Sequence, residues 1–220
     1  MAIDPSKCHK LNMTDTCAVW NLLSSRVLYA AAISGKFCFS VTYYVLYEAI
    51  YKRRSSMSTA DKELLQRLEA QRRNGAFQDY HLDIADLQDM GILERRKRLG
   101  KGELSSIVFA RKTRQAFLTD DQKARKLAAE VMDKSMVQTT PHVLSSLFFE
   151  GILSDGDKDG IIKEHTSFNR PLGQYFEEAY LEACRCRCFA SGWAANGTPD
   201  KNASVTEQQG MRHGRQTEVD

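Results

Sequence analysis

A chain of 220 residues, 42% hydrophobic and 27% charged, suits a single soluble α/β domain and is too short for two well-filled cores. Its formal net charge of +3 argues against nucleic-acid binding driven by bulk electrostatics, so any basic signal has to be local.

The longest apolar-rich run, near Val27 to Val45, is interrupted by Ser34, Gly35 and Lys36, and no N-terminal stretch has the order of a signal peptide. A cytoplasmic location with no membrane contact is expected. Cys8, Cys17, Cys38, Cys184, Cys186 and Cys188 are then expected to stay reduced.

Leu11 to Thr14 is a short apolar entry of the kind that forms a buried parallel strand, and Asp15 follows it at once. From Cys17 to Ile33 the apolar positions Val19, Leu22, Leu23, Val27, Leu28 and Ala31 recur at helical spacing, which predicts one helix closed by Gly35. Phe37 to Thr42 is a second strand, and Tyr43 to Lys52 a helix carrying Glu48. Ser58 caps a helix over Thr59 to Asn74, Phe77 to Leu82 is a weaker strand, and Asp83 caps a helix to about Arg98. A helix from Glu103 to Lys112 follows Gly100 and Gly102. Ala116 to Leu118 is a strand, Thr119 caps a helix over Asp120 to Met132, and Met136 to Gln138 is the last strand. Helices are expected over Pro141 to Glu150, Ile161 to Thr166 and Pro171 to Arg187. The alternation predicts an α/β fold, a three-layer α/β/α sandwich around a short parallel sheet. Residues 11–150 form the expected domain, 151–190 a helical extension packed on it, and 191–220 a tail with few core formers, expected to be disordered.

Four segments join an acid to an apolar run: TDTCAVW with Asp15, VTYYVLYE with Glu48, GKGELSSIVFA with Glu103, and FLTDDQKAR with Asp120 and Asp121. In a parallel α/β fold such positions converge on one crevice beyond the carboxyl ends of the strands. Carboxylates gathered there repel one another unless a cation sits between them, and Mg²⁺ or Mn²⁺ prefer such oxygen ligands. Glu48, inside the apolar run Val41 to Ile50, is expected to need a partner of this kind, because burying an unpaired carboxylate costs several kcal/mol.

The order Asp15, Glu48, Glu103, Asp121 in a βα-alternating chain resembles the PIN-domain ribonucleases over roughly residues 11–150. The resemblance implies that Asp15, Glu48, Glu103 and Asp121 are catalytic, binding Mg²⁺ or Mn²⁺ with Asp120 beside them. It also implies endoribonuclease cleavage leaving a 5′-phosphate, and a toxin role with an antitoxin or other protein inhibitor as partner. Gly102 and Thr119 occupy the slots that precede the third and fourth acids in that family. The third acid is most often Asp there, whereas here it is the longer Glu103. A PIN-like module that has lost catalysis and binds RNA or protein is the alternative.

Positive charge for an RNA backbone is sought between Glu94 and Arg114, where Arg95, Arg96, Lys97, Arg98, Lys101, Arg111, Lys112 and Arg114 face only Glu94 and Glu103. Lys52, Arg53 and Arg54 offer a second strip. The expected substrate contacts are Lys52, Arg53, Arg54, Arg96, Arg98, Lys101 and Thr119. Leu144, Leu147, Phe148 and Phe149 form an apolar face that either covers the sheet or serves a homodimer or other partner.

Other chemistries fit less well. Asp155, Asp157 and Asp159 begin like a calcium loop, but Thr166 stands where its bidentate Glu belongs. Cys184, Cys186 and Cys188 lack the spacing and second half of a zinc site. No HExxH, G-x-S-x-G or P-loop pattern occurs.

Overall fold

In a computed structural model the protein is described over residues 4–52 and 56–195, with side chains to residue 190. Arg53, Arg54 and the 196–220 part of the tail lie outside the described residues. Five parallel strands form one sheet in the order β3-β2-β1-β4-β5. They are β1 Leu11–Thr14, β2 Cys38–Thr42, β3 Gln78–Tyr80, β4 Ala116–Leu118 and β5 Val137–Gln138. The chain builds outward from β1 to β3, then returns to lay β4 on the other side of β1, with Met13 opposite Ser40 and Phe117. That reversal makes the carboxyl ends of β1 and β4 the topological switch point, where an open α/β sheet leaves a crevice.

Helices cover both faces, as the alternating pattern predicts. One core joins Leu22 and Leu23 of α1 (Thr16–Ser24), Leu28 and Ala32 of α2 (Arg26–Ser34), Phe39 and Val41 of β2 and Leu64 of α4 (Thr59–Arg73). The other joins Met13 to Met90 of α5 (Ile84–Arg96), Leu104 and Ile107 of α6 (Lys101–Thr113) and Leu127 of α7 (Gln122–Val131). Adjacent residues of β4 serve opposite cores, Phe117 one and Leu118 the other, as the period of two in a strand requires.

Three local departures bear on the site. The single helix expected over Cys17 to Ile33 is two, because Ser25 takes an extended backbone and its Oγ accepts from the Leu28 amide at 3.2 Å, capping α2. The helix expected from Tyr43 is a short α3 (Tyr43–Leu46) continued by a π-helical turn, Tyr47–Tyr51, that holds Glu48. Asp121, not Thr119, caps α7 and accepts from the Lys123 and Ala124 amides at 2.7 and 2.8 Å.

The last helices belong to the same core. Leu144, Leu147 and Phe148 of α8 (Thr140–Phe149) are buried in one cluster with Phe176, Ala179 and Ala183 of α10 (Gly173–Ala195). The apolar face of α8 is therefore covered from within the chain, which removes it as a dimer surface. Asp157 and Asp159 lie in the first turn of α9 (Asp157–Ser167), a helix rather than a calcium loop. Cys184, Cys186 and Cys188 lie on helical α10 and form no disulfide.

His165 of α9 ties these layers together. It is 0% exposed, with Nδ1 2.6 Å from Ser24 Oγ and Nε2 accepting from the Leu172 amide at 3.1 Å. Ser24 Oγ donates onward to the Asn21 carbonyl at 2.6 Å. These roles are all met by a neutral ring with its proton on Nδ1. Burial, with help from nearby Arg170, lowers its pKa to about 4. The unfolded ring takes up a proton near 6.5 and the folded ring only near 4, so the neutral fold loses stability as pH falls through that window. The loss amounts to about 3 kcal/mol. His165→Phe is expected to destabilise the protein at pH 7, and its deficit against the wild type to narrow by about 2 kcal/mol at pH 4.5, read from urea denaturation at both pH values.

Candidate functional site

Asp15 follows the last residue of β1 and caps α1: its Oδ1 accepts from the Ala18 amide at 2.8 Å, while Oδ2 accepts a hydrogen bond from the hydroxyl of Thr119, which follows β4. The carboxyl group is 0% exposed. Desolvation dominates its acidity and raises the pKa to about 7, against the two hydrogen bonds; Asp120 and Glu103 add to the rise. Thr119 is itself buried and also accepts from the Asp121 amide at 3.1 Å. It therefore aligns Asp15 and is not presented to a substrate.

Glu48 reaches across from the π-helical turn. Its Oε1 accepts from the Gly102 amide at 3.0 Å and its Oε2 from Thr16 Oγ1 at 3.1 Å. Glu48 is half-buried rather than enclosed, and the protein itself supplies it with two donors. The close approach explains Gly102: a Cβ there would stand 2.5 Å from Glu48 Oε2. Glu103 folds back to accept from the Gly100 amide at 2.8 Å. Burial raises its pKa, and the charges of Asp121 and Glu48 push the same way.

Asp120 and Asp121 divide the end of β4 between them. Asp121 caps α7. Asp120 accepts from Asn21 Nδ2 at 2.8 Å and from the Thr140 amide and hydroxyl at 2.9 and 2.6 Å. It braces α1 against the start of α8, and burial raises its pKa.

Glu48 and Glu103 line an open cleft of about 640 Å³ with Thr16, Cys17, Lys52 and Arg170. Burial pushes the Cys17 thiol up to about 12, and Asp15 and Asp120 add to the effect, so it stays protonated and is no nucleophile. Of the expected substrate contacts, Lys52 is in the cleft, and Arg96, Arg98 and Lys101 are exposed near the start of α6. The basic run is weaker than its count suggests. Arg111 is bound to Asp89 at 2.6 Å, and Lys112 to Asp83 and Asp86 at 2.7 and 3.0 Å. Asn21, Thr140 and Arg170 belong to no motif and carry no signal in the sequence.

Asp15, Glu48, Glu103, Asp120 and Asp121 thus meet at the switch point closely enough for their charges to act on one another. Among the described residues no three His, Cys, Asp or Glu side chains already stand in a metal-holding arrangement. The donors themselves, carboxylates beside threonine hydroxyls, are the hard oxygens that suit Mg²⁺ or Mn²⁺. Glu48 and Glu103 are held by hydrogen bonds to backbone amides and one hydroxyl. Among the described residues no helix is long and apolar enough to cross a membrane. Comparison with protein-family models, with curated proteins and with solved structures found no match in any of the three.

Proposed function

We propose that this protein is a divalent-metal-dependent endoribonuclease, with Asp15, Glu48, Glu103 and Asp121 holding Mg²⁺ or Mn²⁺ and Asp120 bracing the site. One observation carries the reading. Acids from four separate segments meet where the sheet reverses, and there Asp15 and Glu103 are each harder to ionise because of burial and neighbouring carboxylates. Structural carboxylates are normally placed to be comfortable in their charged form; a cluster that resists its own charge suits the binding of a cation. The resemblance to PIN-domain ribonucleases supports RNA as the substrate.

When bound, such an ion supplies an acidified water and stabilises charge on a phosphodiester. The chain's own residues do the positioning. Thr119 and the Ala18 amide fix the Asp15 carboxylate, and Asn21 and Thr140 fix Asp120. Gly102 lets Glu48 approach α6, and Lys52 sets a cation at the cleft rim.

Incubation with a structured RNA and Mn²⁺, with and without EDTA, tests the reading. Cleavage is expected only without chelator, and Asp15→Ala and Glu103→Ala are expected to be folded and inactive. Full activity in both variants would refute it. The competing reading, a module of the same fold that binds RNA or protein without cutting, is favoured by the protein donors that already occupy Asp15 and Glu48. RNA retention insensitive to EDTA, with no cleavage in Mn²⁺, would select it.

A further inference from the structure

Among the described residues the acid-lined cleft has one guanidinium, that of Arg170, from the segment between α9 and α10. Its backbone is pinned on both sides. Asn169 turns the chain with a left-handed φ of 54°, the Arg170 amide donates to the His165 carbonyl at 3.3 Å, and the Leu172 amide donates to the buried His165 ring at 3.1 Å. Asn tolerates that backbone better than most residues. The side chain is pinned as well, since Arg170 Nε donates to Asn21 Oδ1 at 3.0 Å while the amide nitrogen of the same Asn21 donates to Asp120 at 2.8 Å.

Glu48 and Glu103 line the same cleft, yet among the described residues Arg170 makes no ion pair with a carboxylate. Glu48 and Glu103 are occupied by backbone and hydroxyl donors, and Arg170 by a neutral amide. A guanidinium carries five donors in a rigid fork that matches a phosphate. Among the described residues only Nε has a hydrogen-bond partner, which leaves the terminal nitrogens of a preoriented fork for a ligand.

We infer that Arg170 is a substrate-positioning residue that grips a phosphate of the bound RNA through its terminal nitrogens, with Asn21 setting its distance from the acids through Asp120. The inference rests on the proposed nuclease function and adds to it a residue, outside the four acid segments, that binds substrate rather than metal. Lysine could replace the charge but not the geometry, because one ammonium cannot serve Asn21 and a phosphate with the same fork.

The test compares wild type, Arg170→Ala and Arg170→Lys. A short fluorescein-labelled single-stranded oligoribonucleotide is titrated in EDTA over a KCl series, and its cleavage is then followed in Mn²⁺. Arg170→Ala is expected to weaken binding roughly 10-fold or more and to lower kcat/KM by roughly 10- to 100-fold, mostly through KM. The slope of log affinity against log salt should flatten by about 0.7, the share of one phosphate on a single strand. Arg170→Lys should restore the slope and only part of kcat/KM. The shift of Tm by Mn²⁺ should be the same in all three proteins. Unchanged affinity and slope in Arg170→Ala, beside a wild type that binds and cuts, would overturn the inference and leave the nuclease standing. So would an Arg170→Ala variant whose only change is a larger Mn²⁺ shift, the mark of a residue that merely neutralises the acids. A wild type that neither binds nor cuts overturns both.

Discussion

Replacing Asp15 by Asn is expected to abolish RNA cleavage and, in EDTA at pH 8, to make the protein more stable than the wild type by about 2 kcal/mol. Most inactivating substitutions at buried polar sites destabilise. Here the sign reverses because the wild-type carboxyl group, 0% exposed, loses its proton in the fold only near pH 7 and in the unfolded chain near 3.8. Below about pH 4 it is neutral in both states and costs nothing. As pH rises from there to 7, the unfolded chain ionises first and the fold falls behind. Above 7 the accumulated cost is about 4 kcal/mol, at about 1.4 kcal/mol for each pH unit between the two midpoints.

An asparagine removes that ionisation but not every cost. Its carbonyl can still accept from the Ala18 amide, whereas its NH₂ faces the Thr119 hydroxyl, which must turn its proton away. The rearrangement forfeits a hydrogen bond worth about 1–2 kcal/mol, which leaves the net gain near 2 at pH 8 and near zero at pH 5. Urea denaturation at both pH values checks this. A variant no more stable than the wild type at pH 8 would mean that the buried charge is already compensated without metal. Adding Mn²⁺ should then raise Tm in the wild type and not in the variant, because only a ligand that prefers the folded state stabilises it.

The elements of this fold are legible in the sequence wherever an apolar run is short and bounded. Leu11–Thr14 and Ala116–Leu118 are the strands expected, and each is followed by its acid. The acids could be named before the structure because residues just beyond parallel strands have one place to go. Their partners could not. Asn21 and Thr140 are ordinary helix residues whose role arises when α1 and α8 flank the end of β4. Arg170 lies in a loop far along the chain and reaches the cleft through tertiary packing around His165.

Two further misreadings share a cause: periodicity and charge counts are blind to partners elsewhere in the chain. Apolar spacing runs unbroken across Ser24 and Ser25, yet Ser25 Oγ donates to Glu164 of α9 at 2.6 Å and caps α2. The basic run looks uncompensated because its acids lie just upstream. Asp83, which caps α5, and Asp86 and Asp89 within that helix recur every third residue and lie against Arg111 and Lys112 of α6. Among the described residues Lys52 and Arg170 line the cleft, while Arg96, Arg98 and Lys101 are exposed.

Gly102→Ala is expected to lower kcat/KM by about 100-fold with a change in stability below about 1 kcal/mol, and Gly100→Ala to leave activity within a few-fold of wild type. The two glycines flank Lys101 at the start of α6, and both have ordinary backbone angles for that place. They differ in what a methyl group would meet. At Gly102 it would stand 2.5 Å from Glu48 Oε2, too close for a real contact, and 3.0 Å from Glu48 Cδ, whereas at Gly100 the nearest atoms are carboxylate oxygens at 3.5 Å. The Gly102 amide also donates to Glu48 at 3.0 Å, so the methyl displaces the acid and breaks its tether together. Alanine is the better helix former by about 1 kcal/mol, which offsets the lost contact and keeps the variant folded. Displacing a metal-binding carboxylate by about an ångström is enough to cost two orders of magnitude in rate. Parallel cleavage assays and melting curves on the two alanine variants decide the matter: equal activities would show that the position of Glu48 is irrelevant to catalysis. A large stability loss in Gly102→Ala alone would instead place the importance of this contact in packing.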